Sequence, residues 1–173
     1  MNRYFLLSLL ALAIQSCVPP ILSVVDYESL KEPYSNPLIV IPFENGITKN
    51  FVTVLSKRIE EKFAADSTQV EIITFEKKNN ELSLNTNTDI VKRVNKRVSE
   101  DGKDIVLLFQ PTKMIYQNGM LQTAKYIISG TDTKTNKEIW KAEFTSQSAY
   151  GPSLFAEKAA KSFYDKLKID KIL

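Results

Sequence analysis

Leu38-Ile39-Val40-Ile41-Pro42-Phe43, followed by Phe51, Val52, Leu55, Ile59 and Phe63, decides the architecture of this chain. The first six residues are apolar without interruption, the pattern of a strand covered on both faces. The second set recurs at steps of three and four, which puts one apolar stripe along a helix of roughly residues 48–65. Lys57, Arg58, Glu60, Glu61 and Lys62 fall on the wet side of that helix. A strand buried on both faces that leads into an amphipathic helix is the opening of a layered α/β structure.

Downstream the alternation continues. Val70-Glu71-Ile72-Ile73-Thr74-Phe75 reads as a second strand, and Ile90, Val91, Val94 and Val98 mark a second helix, begun at Asn87 or Thr88 and stopped near Gly102. Asp104-Ile105-Val106-Leu107-Leu108-Phe109 starts a third strand. The Asn118-Gly119 pair suits the positive φ angles of a two-residue hairpin, so a strand near Thr123 to Ser129 is expected to return antiparallel beside it. After a polar turn from Thr131 to Lys137, Glu138-Ile139-Trp140-Lys141-Ala142-Glu143-Phe144 alternates like a strand with one wet face. Gly151-Pro152-Ser153 opens a last helix whose Phe155, Ala159, Ala160, Phe163, Tyr164 and Leu167 share a stripe. The expected fold is therefore α/β, an α+β sandwich. It is a single domain over residues 37–173, with a mixed sheet in the order β-α-β-α-β-β-β-α and helices packed on the sheet.

Residues 1–16 read as a signal peptide: Arg3 precedes the apolar run from Tyr4 to Ile14, and Gln15-Ser16-Cys17 follows. About a dozen apolar residues is signal length, short of the ~20 that span a bilayer. The ending Ile14-Gln15-Ser16-Cys17 resembles the lipobox of bacterial lipoproteins, with Gln15 in place of the small or aliphatic residue preferred there. That resemblance implies cleavage before Cys17 and lipid attachment to it; the plainer readings are an ordinary export signal with an incidental cysteine and an uncleaved amino-terminal anchor. Val18, where inner-membrane retention in some bacteria uses Asp, favours the outer membrane as the address, with a periplasm-facing domain as the expectation. Several acyl chains would anchor stably where one holds only marginally. Residues 17–36, with Pro19, Pro20 and Pro33, read as an irregular or extended lead-in. Ile21-Leu22-Ser23-Val24-Val25 is too apolar for a free tether, and part of it is expected to pack on the domain and keep it near the membrane.

Composition narrows the chemistry. With 173 residues, 43% hydrophobic and 25% charged, the chain matches one ordinary globular domain. The formal charge of +3 falls to +2 once Arg3 leaves with the signal, too small an excess for the basic footprint of a nucleic-acid binder. There is no histidine, so no Ser-His-Asp or Cys-His relay can form. The sole cysteine is Cys17, outside the domain, which removes a thiol nucleophile and the usual zinc ligands. No cofactor, metal or catalytic residue is expected.

Two segments carry a wider resemblance. Ile39-Val40-Ile41-Pro42-Phe43-Glu44-Asn45 with its helix, and Ser129-Gly130-Thr131-Asp132-Thr133-Lys134-Thr135-Asn136-Lys137-Glu138-Ile139-Trp140, resemble the small α/β domain of a group of envelope proteins. The group comprises lipoproteins that activate penicillin-binding proteins, the curli secretion lipoprotein and the amino-terminal domain of the Tol–Pal β-propeller protein. The resemblance spans most of residues 37–170 and implies a fold, an envelope location and a binding role. The long tether common among the activators, the spanning hairpins of the curli protein and the propeller have no counterpart here.

Several residues are candidates for binding. Lys92, Arg93, Lys96 and Arg97 share one face of the second helix and could meet anionic lipid, lipopolysaccharide or an acidic partner; the plainer reading is a solvated face opposite Val91, Val94 and Val98. Glu44 and Asn45 would stand at the carboxyl end of the first strand, where open α/β sheets hold ligands, or simply form the turn into the helix. Trp140 is either a core aromatic or a platform for a partner, with Tyr116, Tyr126 and Tyr150 as additions to such a face. Asp132 is expected to shape its turn. The acid pairs Glu60-Glu61 and Glu100-Asp101 lie on helix surfaces or ends with no cause for a raised pKa. The functional expectation is a membrane-anchored envelope lipoprotein acting as a non-catalytic protein-binding subunit, adaptor or regulator. Its expected partners are the membrane, through the lipid at Cys17, and another envelope protein. A carrier or sensor of a lipid, glycan or small ligand is the alternative, and a carboxylate-dependent glycan hydrolase is a third class.

Overall fold

Six strands form one mixed sheet in the computed structural model, which describes residues 21–44, 46–77, 88–147 and 152–173, with side chains from Phe155 onward in the last segment. In chain order the elements are β1 (Leu22–Val25), β2 (Pro37–Phe43), α1 (Gly46–Ala65), β3 (Glu71–Glu76), α2 (Thr88–Glu100), β4 (Ile105–Gln117), β5 (Met120–Asp132), β6 (Glu138–Gln147) and α3 (Pro152–Ile169). Across the sheet they run β1-β6-β5-β4-β2-β3. β2 lies parallel between β3 and β4, and the remaining neighbours are antiparallel. The α/β reading holds, with every expected strand and helix present.

The unbroken apolar run of β2 follows from cover on both sides. Ile39 and Ile41 join the main core with α1 and α3, whereas Leu38 and Val40 join Ile73 and Ile90 beneath α2. All four β2 residues are fully buried. On the first face α1 and α3 also pack on each other through Phe51 against Phe155 (4.7 Å between ring centroids) and Phe63 against Tyr164 (4.9 Å). Phe109 of β4 centres this layer, with Phe163, Tyr126 and Phe144 tilted or edge-on around it, the arrangement that ring quadrupoles favour. On the second face α2 covers β2, β3 and β4 only. Among the described residues, no helix covers the outer side of β1, β6 and β5.

The long β4–β5 hairpin turns at Asn118 (φ 51°) and Gly119 (φ 74°), the left-handed pair that matches strand twist. Its ladder shifts register between Pro111 and Lys113, and a proline without an N–H at such an irregularity breaks no regular bond. Similarly, the β2–β4 ladder ends at Val40, two residues before Pro42.

The lead-in is the main departure from the sequence reading. Leu22–Val25, expected to be irregular or extended, is the edge strand β1, paired with β6 from Leu22 opposite Glu143 to Val25 opposite Trp140. Ile21 is already buried in the main core, and the Tyr34 N–H donates to the Ile172 carbonyl at 2.8 Å. The packed unit therefore begins well ahead of residue 37. Four residues hold too few alternations to reveal a strand, and the pairing that creates it lies far along the chain.

Candidate functional site

At the amino ends of β2 and β4 a polar cluster fastens the lead-in to the sheet. Asp104 Oδ2 accepts from the N–H groups of Ser35 (2.7 Å) and Asn36 (2.9 Å). The buried Lys103 donates to Asn36 Oδ1 at 2.9 Å and stands 3.5 Å from Glu71 Oε2. Tyr34 donates its hydroxyl to Asp132 Oδ2 at 2.8 Å, while Asp132 Oδ1 accepts from the Thr135 N–H and hydroxyl. Burial pushes the Asp132 carboxyl up, but the hydrogen bonds from Thr135 and Tyr34 outweigh it and hold the group below the usual carboxylate range. Burial, then Asp132, raises the Tyr34 phenol. An acid held ionised and a phenol held protonated are both moved away from the poise that proton transfer at neutral pH requires. This cluster is a clasp. Sequence reasoning assigned Asp132 its turn correctly and missed the clasp, because Tyr34 and Asp132 are 98 residues apart. Two open clefts of about 590 and 550 Å³ flank it, both lined by Ser67, Thr68 and Gln69.

The cationic face of α2 is only partly as expected. Lys92, Arg93, Lys96 and Arg97 are all exposed. Arg97, however, turns to β3, with Nε 2.8 Å from Glu71 Oε1 and a second nitrogen 3.0 Å from Asp101 Oδ2. The bond to Asp101, then the charge of Glu71, raises its pKa further. Lys96 stands 3.8 Å from Glu100. Lys92 and Arg93 have no carboxylate partner among the described residues, where the open charge on this helix is therefore two cations rather than four.

Beneath α2 runs a groove of about 420 Å³. Val91, Val94 and Val98 of the helix and Val40, Val106 and Leu108 of the sheet form its apolar part, and Ser129, Thr131, Thr133 and Asn136 its polar rim. It exists because α2 stops short of β5. Sequence periodicity identified the valines as a buried stripe but carried no sign that the stripe overhangs the sheet.

Glu44 sits where the reading placed it, exposed at the carboxyl end of β2, with its N–H donating to Thr48 Oγ1 at 3.0 Å as the chain turns into α1. Asn45 lies outside the described residues, as do Cys17, Tyr150 and the whole leader. Near this end the Tyr126 hydroxyl is buried and has no hydrogen-bond partner among the described residues. Burial, with lesser effects from Tyr116 and Glu44, pushes that phenol up.

Trp140 and Tyr126 do not form a partner-facing platform. Trp140 is 1% exposed, and its indole N–H donates to Asp170 Oδ2 at 2.8 Å. Its ring belongs to the inner face of the sheet, where Phe163 packs against it, so it cannot reach a partner's surface. Tyr126 is equally interior. Glu61 pairs with Arg58, and Asp101 with Arg97, which leaves each expected acid pair tied to a neighbouring cation. Among the described residues no group of three or more acidic, histidine or cysteine side chains is placed to hold a metal ion, and no helix is long and apolar enough to cross a membrane.

The fold is shared with solved structures. The chain is similar to PelC from Paraburkholderia phytofirmans, solved as a dodecamer: one crystal form, of a point variant, superposes with a TM-score of 0.54 at 12% identity, covering 84% of this chain and 96% of that one. A second crystal form of the PelC dodecamer gives a TM-score of 0.50 at 11% identity with the same coverage. No protein-family model matches the chain, and no curated protein matches it. At this identity the likeness is one of fold, a mixed sheet with helices packed on it.

Proposed function

We propose that this protein is a lipoprotein of the bacterial cell envelope, acylated at Cys17 and held on the periplasmic side of the outer membrane, whose α/β domain is a non-catalytic binding subunit of an envelope assembly. The observation that carries this reading is the position of the only cysteine. It follows the apolar leader directly and stands four residues ahead of Ile21, the first buried residue among those described. The acids with displaced pKa values, among them Asp66, Asp132 and Asp170, all lie below the ordinary carboxylate range, which fits structural pairing better than general-acid work. Fold likeness to a protein that crystallised as a dodecamer supports an assembly that includes further copies of this chain. Two measurements test the proposal. Radiolabelled palmitate should enter the wild-type protein and be absent from Cys17→Ser, and the acylated protein in detergent should scatter light as a defined oligomer. A palmitate-free wild type that fractionates as a soluble protein would defeat the anchor, and a strictly monomeric acylated protein that captures no crosslinked partner in the envelope would defeat the subunit role.

A second reading, a carrier of a small ligand, is favoured by the groove beneath α2. At about 420 Å³, with an apolar floor and a polar rim, it lies within the size range of small-molecule sites. Native mass spectrometry of protein extracted from its own membranes should then find a stoichiometric bound mass that Val94→Trp, which fills the groove, removes.

A further inference from the structure

We infer that the outer face of β1, built on Leu22 and Val24 and flanked by Lys141, rests on the lipid surface and fixes the orientation of the domain on the membrane. The inference rests on the proposed acylation of Cys17. Leu22 is 66% and Val24 74% exposed, an aliphatic pair on the strand face that turns away from the core. The register places Leu22 beside Glu143 and Val24 beside Lys141, so charged groups frame the pair. Lys141 is about half exposed and stands 3.6 Å from the similarly exposed Glu138 Oε1, a pair too weakly held to fix the ammonium, and a lysine stem lies along apolar surface while its head group stays in the polar layer. Aliphatic side chains bordered by charge suit contact at headgroup depth rather than deep insertion.

Chain length selects the occupant. Four peptide steps separate Cys17 from Ile21, which is buried in the core, and four steps reach at most ~14 Å. A folded domain of this size has a radius of gyration of about 15 Å. An anchor on so short a lead cannot bring α1, α2 or the β4–β5 turn to the bilayer while leaving β1 far from it. The strand that starts soon after the anchor is also where, among the described residues, no helix covers the sheet.

The test uses the full chain, acylated in cells and reconstituted into vesicles of phosphatidylethanolamine and phosphatidylglycerol that contain doxyl-labelled phosphatidylcholine. Because lipid occupies the native thiol, Val24→Cys offers a single site for a bimane fluorophore, and Lys57→Cys on the exposed side of α1 provides the comparison. Doxyl lipid should quench the label at position 24 at least ~threefold more than at 57, as an interfacial contact requires. Equal quenching at both positions in protein that carries labelled palmitate would overturn this inference and leave the anchor standing. Absence of palmitate would overturn the anchor and the inference together. A label at 24 that escapes quenching, together with unlabelled Val24→Cys protein that forms a 24–24 disulfide between two molecules on oxidation, would assign the face to a second copy of the chain and also overturn it.

Discussion

Replacing Trp140 separates a core role from a surface role by energy. The chain has one tryptophan, and its ring is 1% exposed between the sheet and α3. Its indole N–H is held 2.8 Å from Asp170 Oδ2, on an aspartate that is itself 5% exposed and also 2.7 Å from Lys166 Nζ. Trp140→Phe keeps an aromatic ring but removes the donor and part of the volume. A hydrogen bond to a charged acceptor contributes ~1.5–3 kcal/mol, and the smaller ring leaves a void beside Phe163, so a loss of about 2–3 kcal/mol is expected. With a urea dependence near ~2 kcal/mol per molar, the midpoint should fall by roughly 1–1.5 M. Asp170→Asn, combined with Trp140→Phe in a double-mutant cycle, should give a coupling energy of about 1 kcal/mol, since both remove the same contact. Emission of the native tryptophan should lie on the blue side of free indole in water. A Trp140→Phe midpoint within ~0.2 M of wild type, which at that urea dependence is a change of only about 0.4 kcal/mol, or emission typical of solvated indole, would refute this packing.

Three further changes test other parts of the molecule. A Cβ on Gly130 would stand 3.2 Å from Trp140 Cβ and Leu107 Cδ2 and 3.3 Å from Ile105 Cδ1, so Gly130→Ala should cost ~1–2 kcal/mol by overpacking, read as a lower melting temperature. Tyr34→Phe removes the donor to Asp132 and should cost about 1 kcal/mol, with faster amide exchange in the lead-in as the local readout. Asp132 and Asp170 are both held below the ordinary carboxylate value of 3.8, so their contribution is complete above that value and is lost as pH drops through their lower folded values. The urea midpoint should therefore hold between neutrality and about pH 5 with respect to these groups and fall steeply only in stronger acid, and Asp170→Asn should shallow that fall.

What could be seen from the sequence was what local periodicity and turn chemistry encode. β2 and α1 followed from their apolar spacing, and the hairpin from Asn118-Gly119, because positive φ at two adjacent positions is a local demand. Alternation along β6 put Lys141 and Glu143 on the wet face, which by itself turns Ala142 and Trp140 inward. Of the two readings of Trp140, that parity already favoured the core aromatic over the partner platform, and the burial of the ring agrees. β1 could not be seen, since its identity as a strand is supplied by β6. The same distance hid the Tyr34–Asp132 clasp. On α2 the helical spacing of Lys92, Arg93, Lys96 and Arg97 was right, yet whether a cation is open depends on what packs nearby, and Glu71 on β3 takes Arg97 out of the set.

The two edges of the sheet are protected by different means, and the difference bears on the anchor. β3, at one edge, carries Glu71 and Glu76, and the bridge from Arg97 to Glu71 ties it to α2, so charge discourages pairing with another strand. β1, at the other edge, has no charged residue; its defences are its four-residue length and whatever lies against Leu22 and Val24. If lipid supplies that cover, removing the acyl group should expose the edge. The unacylated Cys17→Ser domain, without detergent, should then form aggregates beyond its defined assembly, growing with concentration. Val24→Lys, which places a charge on the edge strand without entering the core, should remove that excess and leave stability within about 0.5 kcal/mol, as for other exposed substitutions. Dynamic light scattering over a concentration series reads both outcomes. Unacylated protein that stays at one size throughout, with Val24→Lys indistinguishable from it, would mean that length alone protects β1 and that its aliphatic face needs no cover.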